Sequence, residues 1–259
     1  HVEYNYAQMG ITMADRQSIV SDLSNVLLQK VITLPKEKWL DLFQVLQEAF
    51  TKKHAMIYAK NPEAQAALRE QKWTAQLEND FEQDYLTIAD NNMAALKTDR
   101  VMDRSINYEV DLSNPEGPTA KLQITYINNG KFTNFTTRYR TWTQVYVPAG
   151  ATLVSYEGAE VTDISTARGK LREEIDSHSG RKVWSYFKSI EPGTQETMTI
   201  EYRLPETVMQ NNDYALLFQK QPGTPQFKLN INVKNAGKPK KFSPAESGKI
   251  ENTNLSFDS

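Results

Sequence analysis

Apolar residues recur at helical spacing up to about Leu96 and at strand spacing beyond it. After that point they alternate in short β-branched and aromatic runs broken by Gly, Pro and Asn. The junction, DYLTIADNNMAALKTDRVMDRSINYEV from Asp84 to Val110, leads from one predicted strand through a polar link into the first strand of an all-β region. The pattern predicts an α+β chain: a helix-rich α/β segment over residues 1–98 and an antiparallel β-sandwich over 99–259.

Within the N-terminal part, Thr12 and Asp15 form a start signal ahead of Ile19, Leu23, Val26 and Leu27, which mark one face of a helix ending near Ile32. Pro35 suits the first turn of the next helix, whose stripe is Trp39, Leu42, Phe43, Leu46, Ala49 and Phe50. HAMIYA, His54–Ala59, reads as a short buried strand. Asn61-Pro62 reads as a cap and first-turn proline opening a short helix through Leu68. Helices mixed with strands predict the remnant of an α/β layer.

The C-terminal part predicts strand after strand: 105–112, 120–128, 137–147, 152–156, 182–190, 196–204, 214–219 and 226–233. Turn signals such as Asn114-Pro115, Asn129-Gly130, Ser179-Gly180 and Pro192-Gly193 separate them. That spacing predicts an immunoglobulin-like plan. The tail from Asn235 reads as a loop with one late edge strand near 250–257.

Composition narrows the function classes. The chain has 259 residues, 39% hydrophobic and 24% charged, as in a folded protein. Its net charge of −2 gives no field that draws in nucleic acid or an anionic membrane, so no nucleic-acid partner is expected. There is no cysteine, which removes thiolate chemistry and disulfides. His1, His54 and His178 are far apart in sequence, so no histidine metal site is expected. No apolar run reaches the roughly 18 residues a membrane span needs, and no signal peptide is visible. The start HVEYNY lacks an initiator Met, so any export signal or anchor is expected outside this chain.

Three segments carry candidate chemistry. Asp80, Glu82, Asp84, Asp90, Asn91 and Asn92 place alternate oxygen ligands near one another, as a hard cation would need. The glycine and closing glutamate of a calcium loop are missing, so the stretch reads as solvated polar residues and strand-end caps and no metal site is expected. The strand TTRYRTWTQVYVPAG puts Tyr139, Val145 and Val147 on one face and Arg138, Arg140, Trp142, Gln144 and Tyr146 on the other. Exposed Trp, Tyr and Arg can stack on a sugar or anchor a protein, so Arg138, Arg140, Trp142 and Tyr146 are the candidate binding residues. The same aromatics also stabilise sheets, which leaves a purely structural role open. The segment ARGKLREEIDSHSGRK, Ala167–Lys182, reads as a solvated hairpin loop. No Gly-rich phosphate loop, nucleophile elbow or zinc-binding His/Glu pair is present, and neither a catalytic residue nor a cofactor is expected.

The order of segments resembles the C-terminal half of the bacterial domain-of-unknown-function 4012 family. The stretches that carry the resemblance are KKHAMIYAKNPEAQAALREQKW, DYLTIADNNMAALKTD, DRSINYEV, YRTWTQVYVPAGATL and VWSYFKSIEPGTQETMTIEYRLP, which together run through most of the chain. Members of that family are typically large surface proteins with an N-terminal membrane anchor, and their upstream part resembles the LytR-CpsA-Psr cell-wall ligases. The resemblance implies an extracellular, cell-surface location, with an anchor in the cytoplasmic membrane supplied by a region outside this chain. The pocket that binds pyrophosphate lipid in those ligases would precede His1. The function expected is therefore non-enzymatic, a structural or adhesive surface module whose partner is a cell-envelope glycan or a surface protein. The alternative is the C-terminal part of a LytR-CpsA-Psr-like phosphotransferase acting on cell-wall glycopolymers. Scattered arginines within the chain disfavour that alternative.

Overall fold

A computed structural model describes residues 13–159, 171–224, 227–235, 248–251 and 254–258. Thr12 of the first start signal, Ala167–Lys170 of the polar hairpin, Gln226 and residues 236–247 of the tail lie outside the described residues. The chain divides into two compact units at Ala75/Gln76, earlier than the boundary expected after residue 98.

The first unit holds α1 (Met13–Ile32), a 3-10 turn (Lys36–Lys38), α2 (Trp39–Thr51) and α3 (Pro62–Glu70). Pro35 stands just ahead of the 3-10 turn rather than inside a helix. Asn61 caps α3 as its sequence predicts: its side chain accepts from the Ala64 amide at 2.9 Å, with Pro62 in the first turn. HAMIYA is not a strand. The Ile57 amide reaches the Trp73 carbonyl at 3.0 Å, but the Ala59 amide turns to the Gln65 side chain at 2.8 Å, so no ladder forms. Among the described residues this unit contains no strand, and the expected α/β remnant is helical. Phe50 packs on Trp73 with ring centroids 4.9 Å apart. Trp39, Phe43 and Leu46 are exposed along the predicted stripe of α2, and Leu40 and Val45 are exposed outside it. No helix among the described residues is long and apolar enough to cross a membrane.

The second unit is built of strands: β1 (Asp84–Asn92), β2 (Met102–Asp111), β3 (Thr119–Asn128), β4 (Tyr139–Val147), β5 (Thr152–Glu157), β6 (Arg172–Ile175), β7 (Lys182–Ile190), β8 (Gln195–Arg203), β9 (Met209–Gln210), β10 (Asp213–Tyr214), β11 (Leu216–Phe218), β12 (Lys228–Lys234), β13 (Gly248–Glu251) and β14 (Asn254–Asp258). One sheet has the order β11-β1-β4-β7-β6 and another the order β13-β14-β12-β2-β3-β8-β5. Their inner faces share one apolar cluster that includes Leu86, Ile88, Ile106, Leu122, Ile124, Val145, Trp184 and Ile200, the arrangement of a sandwich. Trp184 meets Tyr202 edge-on across it, with centroids 4.8 Å apart.

Two features depart from the expected all-antiparallel plan. β11 pairs with β1 in parallel, and β12 pairs with β2 in parallel. Hairpins make antiparallel neighbours, whereas β11 and β12 reach their partners only after more than 100 residues of intervening chain, which permits either direction. The single late edge strand is in fact a hairpin, β13 and β14, added beside β12. The hairpin segment read as a loop contributes β6, which pairs with the start of β7.

Gly158, at the end of β5, adopts φ +85°, and a Cβ there would sit 2.2 Å from the Thr197 carbonyl oxygen. Gly158→Ala should therefore cost about 2 kcal/mol or more, read as a lower urea midpoint with an unchanged slope.

Candidate functional site

β4 alternates as its sequence predicts. Tyr139, Thr141, Thr143, Val145 and Val147 are buried, while Arg140, Trp142, Gln144 and Tyr146 are half-buried on the other face. Register fixes their neighbours. Trp142 lies opposite Asn91 of β1 and Phe187 of β7, and Tyr146 lies opposite Thr87 and Val183. Thr87, Val183 and Ser185 are buried whereas Asn91 is exposed, so the accessible end of the row is the Trp142 end. Asn91 donates its amide to the Trp142 carbonyl at 3.0 Å and to Gln144 Oε1 at 3.3 Å, which holds that end in place. Arg138 stands just before β4, half-buried, with Nε 2.7 Å from Glu191 Oε1 in an ion pair. The Nε of Arg138 and that of Arg140 are both shielded from solvent without a hydrogen-bond partner among the described residues, and Arg138 has the ion pair in addition. Burial pushes the Tyr146 hydroxyl up, and Asp176 and Glu174 add to the effect.

The acidic stretch turns out to be part of the interior. Asp84, Leu86, Ile88 and Asp90 share the inner face of β1, so its two carboxylates stand six residues, about 20 Å, apart. Asp80 and Glu82 are exposed and precede the strand. This spread keeps the four acids from sharing one cation.

Each end of β1 carries its own polar cluster. Asp84 is fully buried and accepts hydrogen bonds from Tyr108 at 2.8 Å and Tyr214 at 2.5 Å, with Tyr202 donating in turn to Tyr108 at 3.0 Å. Burial raises its pKa to about 6, against the pull of the two tyrosines, the Tyr85 amide and the charge of Arg181. Burial likewise lifts the Tyr108, Tyr202 and Tyr214 hydroxyls well above their ordinary range. Arg181 lies over the Tyr85 ring, its guanidinium carbon 3.5 Å from the centroid, and donates to the carbonyls of Glu78 and Phe81.

Asp90 has a cation of its own. Its Oδ2 accepts from Arg104 at 2.5 Å, and both side chains are only 9% exposed. Its Oδ1 accepts from Thr143 at 2.6 Å and Tyr126 at 2.8 Å. Gln221 clasps the Asp90 backbone, accepting from the amide at 2.9 Å and donating to the carbonyl at 3.0 Å. Burial opposes the charge on Arg104, but Asp90 together with Tyr126 and Tyr139 outweighs it, and the guanidinium is held above its ordinary value. Arg104 also rests on the Phe227 ring, 4.7 Å from its centroid. A pocket of about 170 Å³ opens here, floored by Asp90, Arg104 and Tyr126 and rimmed by Asp99, Thr224 and Phe227. Sequence reasoning missed Arg104 and this pocket. The signal lay in parity, since Asp84 and Asp90 flank Leu86 and Ile88 at even spacing.

No family model matches the chain, and no curated protein matches its sequence. Among solved structures it is similar to leukotriene A4 hydrolase from Saccharomyces cerevisiae, with a TM-score of 0.32 and 9% identity over 65% of this chain and 28% of that one. It is similar to an M1 zinc metallopeptidase from Deinococcus radiodurans, with a TM-score of 0.28 and 13% identity over 61% of this chain and 39% of that one. A putative nutrient binding protein from Legionella pneumophila gives a TM-score of 0.29 and 10% identity over 67% of this chain and 68% of that one. The chain thus spans well under half the length of the two enzymes, and likeness of this degree assigns no chemistry to it.

The buried carboxyl gives a pH prediction. The folded pKa of Asp84, about 6, lies above the ordinary 3.8, so the fold holds the proton more tightly than the unfolded chain does. Its contribution is fully present below about pH 4, is lost as pH rises through 6, and is flat above. The amount is on the order of 2–3 kcal/mol. The stability difference between the wild type and Asp84→Asn, followed by urea unfolding, should move against the wild type by that order between pH 4 and pH 7. A difference that does not change with pH would show that the carboxyl titrates normally.

Proposed function

We propose that this chain is a non-enzymatic module of an extracellular surface protein, tethered to the cytoplasmic membrane by a segment outside the chain. Its role is structural or adhesive, and its partner is a cell-envelope glycan or a surface protein. The observation that carries the reading is the accessible end of β4, where half-buried Trp142 lies beside half-buried Arg140. A planar aromatic supplies contact area at low entropic cost, and the accessible part of a guanidinium fork donates hydrogen bonds to an acceptor on the partner. The strand holds both on one face, so the pair is preorganised. The resemblance to the domain-of-unknown-function 4012 family supports the surface location. An immunoglobulin-like plan belongs to the same proposal: two facing sheets favour it, and the parallel partners β11 and β12 are additions to it.

Trp142→Ala should weaken binding to purified cell envelopes by about 2 kcal/mol or more, roughly thirtyfold in a sedimentation assay. Arg140→Gln should weaken it less, since it removes charge and fork geometry but keeps the side-chain length. A Trp142→Ala protein that keeps its native circular dichroism and binds envelopes as the wild type does would overturn the reading.

A further inference from the structure

The pocket at the Asp90 end lies between the sheets, apart from the outer row of β4, and the reading above does not use it. We propose that it holds one ring of an uncharged sugar. Size is the first argument. A cavity of roughly 150 Å³ is enough for a six-membered ring, and larger drug-like ligands begin near 300 Å³. At about 170 Å³ this pocket holds one ring, and any further unit of a longer ligand lies outside it.

The second argument is the balance of charge. Arg104 faces the pocket with its charge already matched by Asp90, and the Asp99 carboxylate at the rim is offset by Lys220, whose Nζ lies 5.6 Å from the Phe227 ring centroid. Such a site offers donors and acceptors without a net positive field, which favours vicinal hydroxyls over phosphate or another anion. One Arg104 nitrogen is engaged by Asp90, leaving the rest of its fork to donate to neighbouring hydroxyl oxygens. Asp99 accepts from Asn92, and a carboxylate has room for further donors. The Thr224 hydroxyl donates to the Gln221 carbonyl at 2.8 Å, so its oxygen is turned to accept. Met102 supplies an apolar wall for the C–H face of a ring, and Phe227, which carries the Arg104 guanidinium on its ring, lines the site as well.

The third argument is rigidity. Thr143, Tyr126 and Arg104 fix both oxygens of Asp90, and Gln221 fixes its backbone, so the floor is set before any ligand arrives.

The test is a titration of the chain, followed by the backbone amide resonances of Gly223 and Thr224. The probes are glucose, N-acetylglucosamine, the disaccharide N,N′-diacetylchitobiose, glucuronate and inorganic phosphate. At least one neutral monosaccharide should shift these amides with millimolar affinity. Asp99→Asn and Thr224→Val should each weaken that binding by about tenfold, the loss of one good hydrogen bond. These rim variants are chosen because Arg104→Gln would strand Asp90 in the interior and unfold the sandwich. If chitobiose binds as well as the monosaccharide, the ligand is a unit of a glycan chain; if it is excluded, the ligand is a free sugar. The proposal is overturned if no neutral sugar shifts these amides, if phosphate or glucuronate binds more tightly, or if both variants bind as the wild type does. Trp142→Ala should leave the titration unchanged, so failure at the pocket and failure at the outer row are separate results.

Discussion

Two carboxylates on the inner face of one strand fasten the sheets to each other. β1 lies inside the smaller sheet, between β4 and β11, yet among their partners Asp84 accepts from Tyr108 of β2 and Asp90 from Tyr126 of β3 in the larger one. Hydrogen bonds to a charged group contribute about 1.5–3 kcal/mol each, more than a neutral pair. Apolar burial drives the sheets together without direction. The two acid–tyrosine links give that association a register, because each hydroxyl must meet its own carboxylate about 20 Å from the other.

The placement of β1 also explains why the units divide where they do. Its six-residue ladder to β4 and its parallel pairing with β11 bind it to strands far along the chain. The polar link after it, up to β2, is therefore a connection within the sandwich. Residues 93–101 pack as part of it: Ala95 and Thr98 are buried, and Thr98 donates to the Ala95 carbonyl and accepts from the Thr137 amide.

Much of this was legible in the sequence. The strands with strict alternation were found nearly to the residue, because a period of two with β-branched and aromatic residues is a strong local signal; β7 begins and ends where the pattern does. The two faces of β4 were also legible, since alternation alone assigns them. HAMIYA failed because its apolar content is real but a strand needs a backbone partner, and among the described residues of its unit no neighbouring strand completes a ladder. The parallel pairs failed for the same reason, as strand direction is set by the path of the chain and not by composition. Asp84 and Asp90 were misjudged because acids are rarely buried, so the residue type outweighed the parity of Leu86 and Ile88. Arg104 was invisible for a simpler reason: its partner lies 14 residues away on another sheet.

The two ends of β1 answer the same problem in opposite ways. At Asp84 the carboxyl is enclosed by tyrosines, with Arg181 acting on it from a distance, and the proton affinity of the group rises instead. That end is closed. At Asp90 an arginine supplies the counter-charge, and the site stays open to a pocket. A buried ion pair seldom stabilises a fold more than apolar residues of the same shape would, so stability alone does not call for Arg104. Apolar replacements would fill the pocket. What the pair adds is a rigid, polar floor between the sheets, held by a strand that the fold cannot do without. Stability therefore depends on the face of β1 that reaches across the core, and recognition is left to the places where that polar scaffold meets solvent.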